Sequence, residues 1–375
     1  DPVSGDQTWE KVVSKNLGLD LNMFNNRLSL TTDFYIRDTK GILGKGKSLP
    51  SIYGASEPQM NANNLRTKGY ELVLGWRDSF KLAGSTFSYG ITGTFSDYTA
   101  EYTKCDNPTG LIGDPYVGKK YGEIWGYKVD GLFRNDKEAA EYASRIDLST
   151  VASGYYTATG AYGKGVRGGD IKYLDLNGDN IVNGGKGTLD DPGDRRVIGN
   201  SSPRYQYGAS LNFSWYGFDV SVFMQGIGRL DWYPGADNLR FWGPYCRPYA
   251  TFVPKNFMSQ VWSEENPDAY FPRARAYTSL NSNSGTAYYT NDRYLQNLAY
   301  CRLKNLTIGY TIPRRLTSKV GIKECRIYFS GENLATWSAL KSDFLDPEQA
   351  AADSDKKANV YPWCKTYSIG LNLTF

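Results

Sequence analysis

Apolar and polar residues alternate with a period of two in several separate stretches of the chain. The cleanest runs from Tyr205 to Trp215. Tyr205, Tyr207, Ala209, Leu211, Phe213 and Trp215 face one way, and Gln206, Gly208, Ser210, Asn212 and Ser214 the other. That period marks a strand whose two faces meet different surroundings. The same reading places strands over Leu17 to Phe24, Arg27 to Arg37, Gly69 to Arg77, Phe87 to Phe95, Phe218 to Met224, Tyr300 to Tyr310 and Arg326 to Ser330, the last extended to Thr336. A final strand, Thr366 to Phe375, sets Tyr367, Ile369, Leu371, Leu373 and Phe375 against Ser368, Gly370, Asn372 and Thr374. In the Tyr300 to Tyr310 segment, Arg302 and Lys304 stand in phase with Leu306, Ile308 and Tyr310. This predicts two charges on the apolar face, tolerated near an outer rim.

The connections sharpen the picture. Short links at Asn25-Asn26, Asp78 to Thr86, Tyr216-Gly217 and Pro313 to Lys323 alternate with long ones at Asp38 to Lys68, Tyr98 to Arg204, Arg229 to Tyr294 and Trp337 to Lys365. A membrane barrel has tight turns at one rim and large loops at the other. The pattern therefore predicts an all-β fold, a transmembrane antiparallel β-barrel of which about ten strands are present. Its final strand runs downward and places Phe375 at the periplasmic rim. Phe24, Trp76, Trp215, Phe218 and Tyr310 gather at that same rim as an aromatic girdle. Residues 98–204 form a large extracellular region with a short helix expected over Asp136 to Arg145 and glycine-rich turns around Gly160 to Gly169.

Composition agrees with this reading. Mean hydropathy is −0.51, and no stretch approaches the ~20 apolar residues of a spanning helix, a limit that does not apply to strands. Tyrosine numbers 30 against 16 phenylalanines, which suits an interface that is oily on one side and wet on the other. The net charge of +4 is spread along the chain without a basic tract for nucleic acid. Histidine is absent, which excludes His-dependent nucleophiles and metal sites. The five cysteines (Cys105, Cys246, Cys301, Cys325, Cys364) form no CxxC pair. Cys301 and Cys325 are expected on neighbouring strands as thiols. The opening DPVSGDQTWEK lacks an initiator methionine and an apolar leader, and reads as a loop feeding a strand within a longer polypeptide.

Candidate chemistry is sparse. GILGKGKS (Gly41 to Ser48) satisfies the Walker A pattern, but an amphipathic strand precedes it, and Pro50, Gly54 and Pro58 break any following helix. DLNGDNIVN (Asp175 to Asn183) resembles a calcium loop. Asp175, Asn177 and Asp179 hold positions one, three and five, and Ile181 offers its carbonyl at seven. Asn180 replaces the glycine at six, and Lys186 stands where a bidentate glutamate is usual, so Asp190, Asp191 or Asp194 would complete a site for Ca2+ or another divalent cation. An Asx-rich turn explains the same residues. Paired carboxylates at Glu264-Glu265 and Asp190-Asp191 read as solvated loop charge. Trp232, Tyr233, Phe241, Trp242 and Tyr245 are candidates for stacking on substrate, for docking a lid, or for packing within the loop. No organic cofactor is indicated.

Several blocks resemble the SusC/RagA family of TonB-dependent outer-membrane transporters. They include NLGLDLNMFNNRLSLTTDFYIRDTKGIL (Asn16 to Leu43), LRTKGYELVLGW (Leu65 to Trp76), GEIWGYKVDGLF (Gly122 to Phe133), GDIKYLDLNGDN (Gly169 to Asn180) and VIGNSSPRYQYGASLNFSWYGFDVSVFMQG (Val197 to Gly226). YCRLKNLTIGYTIP (Tyr300 to Pro313), RIYFSGENLATW (Arg326 to Trp337) and the terminal YSIGLNLTF follow in order. The resemblance implies a barrel of about 22 strands filled by an amino-terminal plug, of which residues 1–375 look like the carboxy-terminal part, without the plug. It implies a bacterial outer-membrane location and import energised by TonB through that plug. The implied partners are membrane lipid, the remaining amino-terminal half and a SusD-like surface lipoprotein acting as lid, and the cargo is an oligosaccharide or peptide. It implies a transporter and not an enzyme. A free-standing small porin and a soluble carbohydrate-binding β-protein are the other architectures this strand pattern allows.

Overall fold

A computed structural model describes residues 5, 7–45, 52, 54, 58–157, 165–246, 253–275, 287–342, 344–352 and 361–375. Long strands β1 (Lys11–Met23), β2 (Leu28–Lys45), β3 (Gln59–Leu82) and β4 (Ser85–Lys104) come first. Short strands β5 (Glu123–Gly126), β6 (Val129–Leu132), β7 (Ile171–Tyr173) and β8 (Arg196–Asn200) follow, with helix α1 (Asp136–Ala143) among them. Then come β9 (Arg204–Trp215), β10 (Phe218–Arg229), the short β11 (Asp231–Trp232) and β12 (Gln296–Asn297), and finally β13 (Tyr300–Thr311), β14 (Glu324–Ser338) and β15 (Thr366–Thr374). The long strands make one antiparallel nine-stranded sheet in the order β1-β2-β3-β4-β9-β10-β13-β14-β15. Among the described residues the wall is therefore nine strands where about ten were expected. It is open, with β1 and β15 as its edges, so it does not form the closed small porin.

Register puts the oily residues on one face. A single lateral row runs Met23, Leu28, Trp76, Ile91, Leu211, Val222, Leu306, Gly331, Tyr367 across all nine strands. Among the described residues no second sheet covers this face: Leu17 is 73% exposed and Leu371 57%. A soluble sandwich would bury those side chains between two sheets. The tightest turns explain the hairpins. Ala83-Gly84 and Tyr216-Gly217 each hold two consecutive residues at positive φ, the conformation that matches the twist of paired strands.

Aromatic residues bound the apolar band at both ends. At the turn end, Phe24 packs on Trp76, Phe87 on Phe213, and Phe218 on Tyr310. At the other end Phe34, Tyr70, Phe95 and Tyr205 form a row with centroids 6.3, 5.9 and 6.5 Å apart. From Tyr205 down to Trp215 the chain spans roughly 33 Å. At the usual tilt of about 40° this is about 25 Å of membrane thickness.

Two readings of the sequence change. The strands β2, β3 and β4 continue far beyond the expected Arg37, Gly69 and Phe95 boundaries, because their ladders persist where both faces turn polar and alternation disappears. In β13, Leu303 pairs with Met224 and Asn305 with Phe223, leaving Lys304 as a bulge. A bulge shifts the phase of everything beyond it. Arg302 thus joins Asn305 and Thr307 on the polar face and not Leu306 on the oily one.

Candidate functional site

The polar face of the wall is its luminal side, and glycines give it room for large side chains. The ring of Tyr35 lies over Gly69 on the neighbouring strand, where a Cβ would meet it at 2.5 Å. Arg326 reaches across Gly309 to Asp219, with Nε 2.9 Å from Oδ1. Thr31 donates to Asp20 at 2.7 Å.

Above the wall, the long links fold into one unit with its own buried core. Helix α1 begins as its sequence predicts. The Asn135 side chain accepts from the Glu138 N–H at 2.9 Å, satisfying an amide that the helix start leaves open, and the Glu138 carboxylate accepts from the N–H of Arg134, just before the cap, at 2.7 Å. Gly160 and Gly163 of the expected glycine-rich turns lie outside the described residues. Loop two (residues 105–203) joins loop three (230–299) through Asn291, which is 0% exposed. Its amide donates to the Tyr233 hydroxyl at 2.9 Å and the Tyr173 hydroxyl at 3.3 Å, while its oxygen accepts from the Tyr294 N–H at 3.1 Å. The Tyr127 N–H donates to the Thr290 carbonyl at 2.9 Å. Burial pushes the Tyr127 phenol up to about 12 and raises Tyr173, Tyr233 and Tyr294 as well, so these hydroxyls act as neutral hydrogen-bonding groups. Asp170, fully buried, lies 2.8 Å from Arg275. Burial raises its carboxyl to about 7 against the pull of that guanidinium.

Loop four (339–365) is fastened to the luminal face of β13. Arg302 donates to Asp346 at 2.6 Å, to Glu348 at 2.7 Å and to the Thr336 hydroxyl at 2.9 Å. Lys304 donates to both Glu348 oxygens at 2.9 Å. The bulge at Lys304 is what delivers both cations to one side. Beside this junction is a 650 Å³ cavity lined by Arg302, Thr336, Asp346 and Arg240. A second, of 390 Å³ between loops three and four, is lined by Phe241, Phe257, Tyr270, Phe271 and Phe344, with Arg240 and Lys341. Sequence reasoning missed these cavities, since their walls come from segments far apart in the chain.

Trp232, Tyr233, Phe241, Trp242 and Tyr245 are 4%, 7%, 4%, 0% and 2% exposed. They build the loop core, and rings packed against each other on several sides (Trp242 on Phe241, Phe271 and Tyr294) offer no free face to a sugar. Phe241 also borders the 390 Å³ cavity. In the calcium-like loop, Asp175 accepts from the N–H groups of Gly178 and Asn180 at 2.7 and 2.9 Å, and Asp179 from Ile181 at 2.8 Å. Asn180 takes the left-handed conformation (φ 66°). Asp194 is buried and accepts from Leu176, Asn177 and Asn183, so it faces the backbone of the loop. Among the described residues no group of three or more His, Cys, Asp or Glu is placed to hold a metal. Each bonded carboxylate oxygen retains a further lone pair, so the loop's oxygens could share a cation with these bonds. Gly41 to Lys45 of the Walker-like segment continue strand β2, which is not a phosphate-cradling turn, and Gly46 to Ser48 lie outside the described residues. The cysteines are free thiols, with Cys301 on β13 and Cys325 on the adjacent β14. Tyr367, Ile369, Leu371 and Leu373 pair with Gly331, Phe329, Ile327 and Cys325 on the oily face, and Phe375 is exposed just past the end of β15.

No family model matches the chain. Two TonB-dependent receptors of Formosa agariphila, P3 and P26, are 25% and 26% identical to it, over 98% and 100% of this chain and 34% and 35% of their own length. The TonB-dependent receptor SusC of Bacteroides thetaiotaomicron is 22% identical over 98% of the chain and 32% of that protein. The chain thus spans about a third of the length of these relatives. Among solved structures, the RagAB peptide transporter superposes with a TM-score of 0.67 at 22% identity, covering 98% of this chain and 36% of the matched one. A RagAB peptide importer in an open-open state gives 0.65 at 21% identity, with 99% and 35% covered. A lipid-facing sheet with a polar lumen, aligned from end to end with these receptors, leads to one assignment. The chain is similar over nearly its whole length to SusC-like TonB-dependent receptors, and its sheet matches a stretch of a transporter barrel.

Proposed function

We propose that this chain forms part of the wall and the surface loops of an outer-membrane nutrient importer driven by TonB. The observation that carries the reading is the open nine-stranded sheet, oily outside and polar inside, with unpaired edges at β1 and β15. Those edges call for further strands, because an unpaired ladder has no hydrogen-bonding partner within a bilayer. The remaining half of the barrel supplies them in this proposal, around a plug that contacts TonB, with β15 as the strand that closes the barrel. The loop unit lies at the cell surface beneath a SusD-like lipoprotein lid, and the cargo is an oligosaccharide or a peptide. Cargo descending from the lid meets the cavities beside Arg240, Phe241, Lys341 and Arg302.

Deleting the chain's coding segment in the native host, with uptake of labelled oligosaccharide and peptide mixtures as the readout, tests the proposal. Uptake that falls to the level of a TonB-deficient strain is expected, and undiminished uptake overturns it. Native mass spectrometry of the purified complex reports the lid, the missing strands and bound cargo together. We also propose, on the alternate spacing of Asp175, Asn177, Asp179 and Ile181, that the loop takes a calcium ion. One equivalent of metal that disappears in Asp175→Ala is expected, and an unchanged metal content removes the site.

A further inference from the structure

Register divides the lipid-facing surface of β1 to β4 into lateral rows above the apolar band. The row Leu17, Phe34, Tyr70, Asp97 lies at the upper aromatic belt. The next row up is Lys15, Ile36, Lys68, Thr99, and the one above that is Val13, Asp38, Arg66, Glu101. In the lowest and highest of these rows every carboxylate has its own cation. Asp97 is held by Arg204, with Nε 2.6 Å from Oδ1. Asp38 is held by Arg66 at 2.7 Å, and Glu101 by Lys120. The middle row contains two exposed ammonium groups and no acid. Among the described residues no salt bridge engages Lys15 or Lys68.

These residues surround a depression of 590 Å³ lined by Lys15, Ile36, Lys68, Thr99 and the Asp97–Arg204 pair, with Phe34 and Tyr70 on its lower side. Two strand spacings separate Lys15 from Lys68, about 10 Å. A site with an oily lower edge at the membrane boundary and two spaced cations above it matches an amphiphile whose headgroup carries two separated anionic groups. One phosphate meets both lysines only if their side chains converge on it, whereas two phosphates meet each lysine above its own strand. We propose that this face holds a membrane glycolipid bearing two phosphates, with the phosphates at Lys15 and Lys68, the Thr99 hydroxyl donating to one of them, and acyl chains along Leu17 and Phe34. This rests on the reading of the oily face as lipid-facing.

The test uses the complete transporter, reconstituted in phosphatidylcholine vesicles with and without a bisphosphorylated disaccharide lipid (lipid A), with bound lipid read by native mass spectrometry. Wild-type protein is expected to retain one bisphosphorylated lipid in preference to phosphatidylcholine or phosphatidylethanolamine. The double variant Lys15→Gln/Lys68→Gln is expected to lose roughly 30-fold in retention, the scale for two basic side chains at a charged membrane surface. Lys15→Arg/Lys68→Arg keeps the charges and is expected to keep the lipid. Equal retention by wild type and the Gln variant overturns the proposal, as does preference for a monophosphate phospholipid. Failure of the wild-type protein to float with vesicles of either composition overturns the membrane reading itself, which separates the two outcomes.

Discussion

Ile369 and Leu371 on the wall are 83% and 57% exposed, whereas Trp242 and Tyr294 in the loop unit are 0% exposed. Both regions are rich in aromatic and branched residues, and both are held by backbone ladders or turns. They differ in what surrounds the oily atoms. The wall leaves them on a surface and relies on hydrocarbon to cover them, so its backbone bonds lie within one continuous sheet. The loop unit stands in water and must bury its own rings, so it gathers residues from three separate loops around Tyr173, Asn291 and Tyr294. The same side chains therefore mean different things in the two places. An exposed leucine on β15 is in its working environment, and an exposed tryptophan in loop three would be a fault.

Substitutions can break this contrast, and the largest effects are expected in the water-facing unit. Trp242→Ala removes a fully buried ring and should cost about 3–5 kcal/mol. Limited proteolysis should then cut the loops while the wall stays resistant in detergent. Simultaneous loss of the wall would show that the two regions fold as one. Arg302→Ala leaves Asp346 and Glu348 short of their cation, a loss of about 3–5 kcal/mol for a buried pair, felt at the junction of loop four. Hydrogen exchange should rise across 339–352 and on β14 above Glu332, with little change near Ile327.

A smaller penalty is expected on the wall. Leu211→Lys places a charge at mid-band and should destabilise the protein in lipid by about 2–4 kcal/mol. The effect should shrink in a detergent that lets the side chain reach water. An equal cost in both media would argue that Leu211 packs on protein. The smallest effect belongs to a single cap. Asn135→Ala should cost about 1 kcal/mol, read as a modest fall in the unfolding midpoint of the loop unit alone.

Local pattern carried much of this protein. The period-two segments located all nine wall strands, because a strand between lipid and a wet lumen needs alternating side chains wherever it lies. The start of α1 at Asp136 was equally visible, although the Asn135 and Glu138 side chains that cap it were not singled out. Tertiary structure decided the rest. The upper parts of β2 to β4 have no alternation to read, because both of their faces are polar and only the neighbouring ladder keeps them extended. Whether Arg302 faces lipid or lumen depended on the bulge at Lys304, which exists only in the pairing with β10 and β14. The aromatic residues of loop three entered a core and not a binding face because loops two and four close over them. A one-dimensional pattern records which solvent each strand face meets, but burial by a distant segment is a property of contacts that no local period encodes.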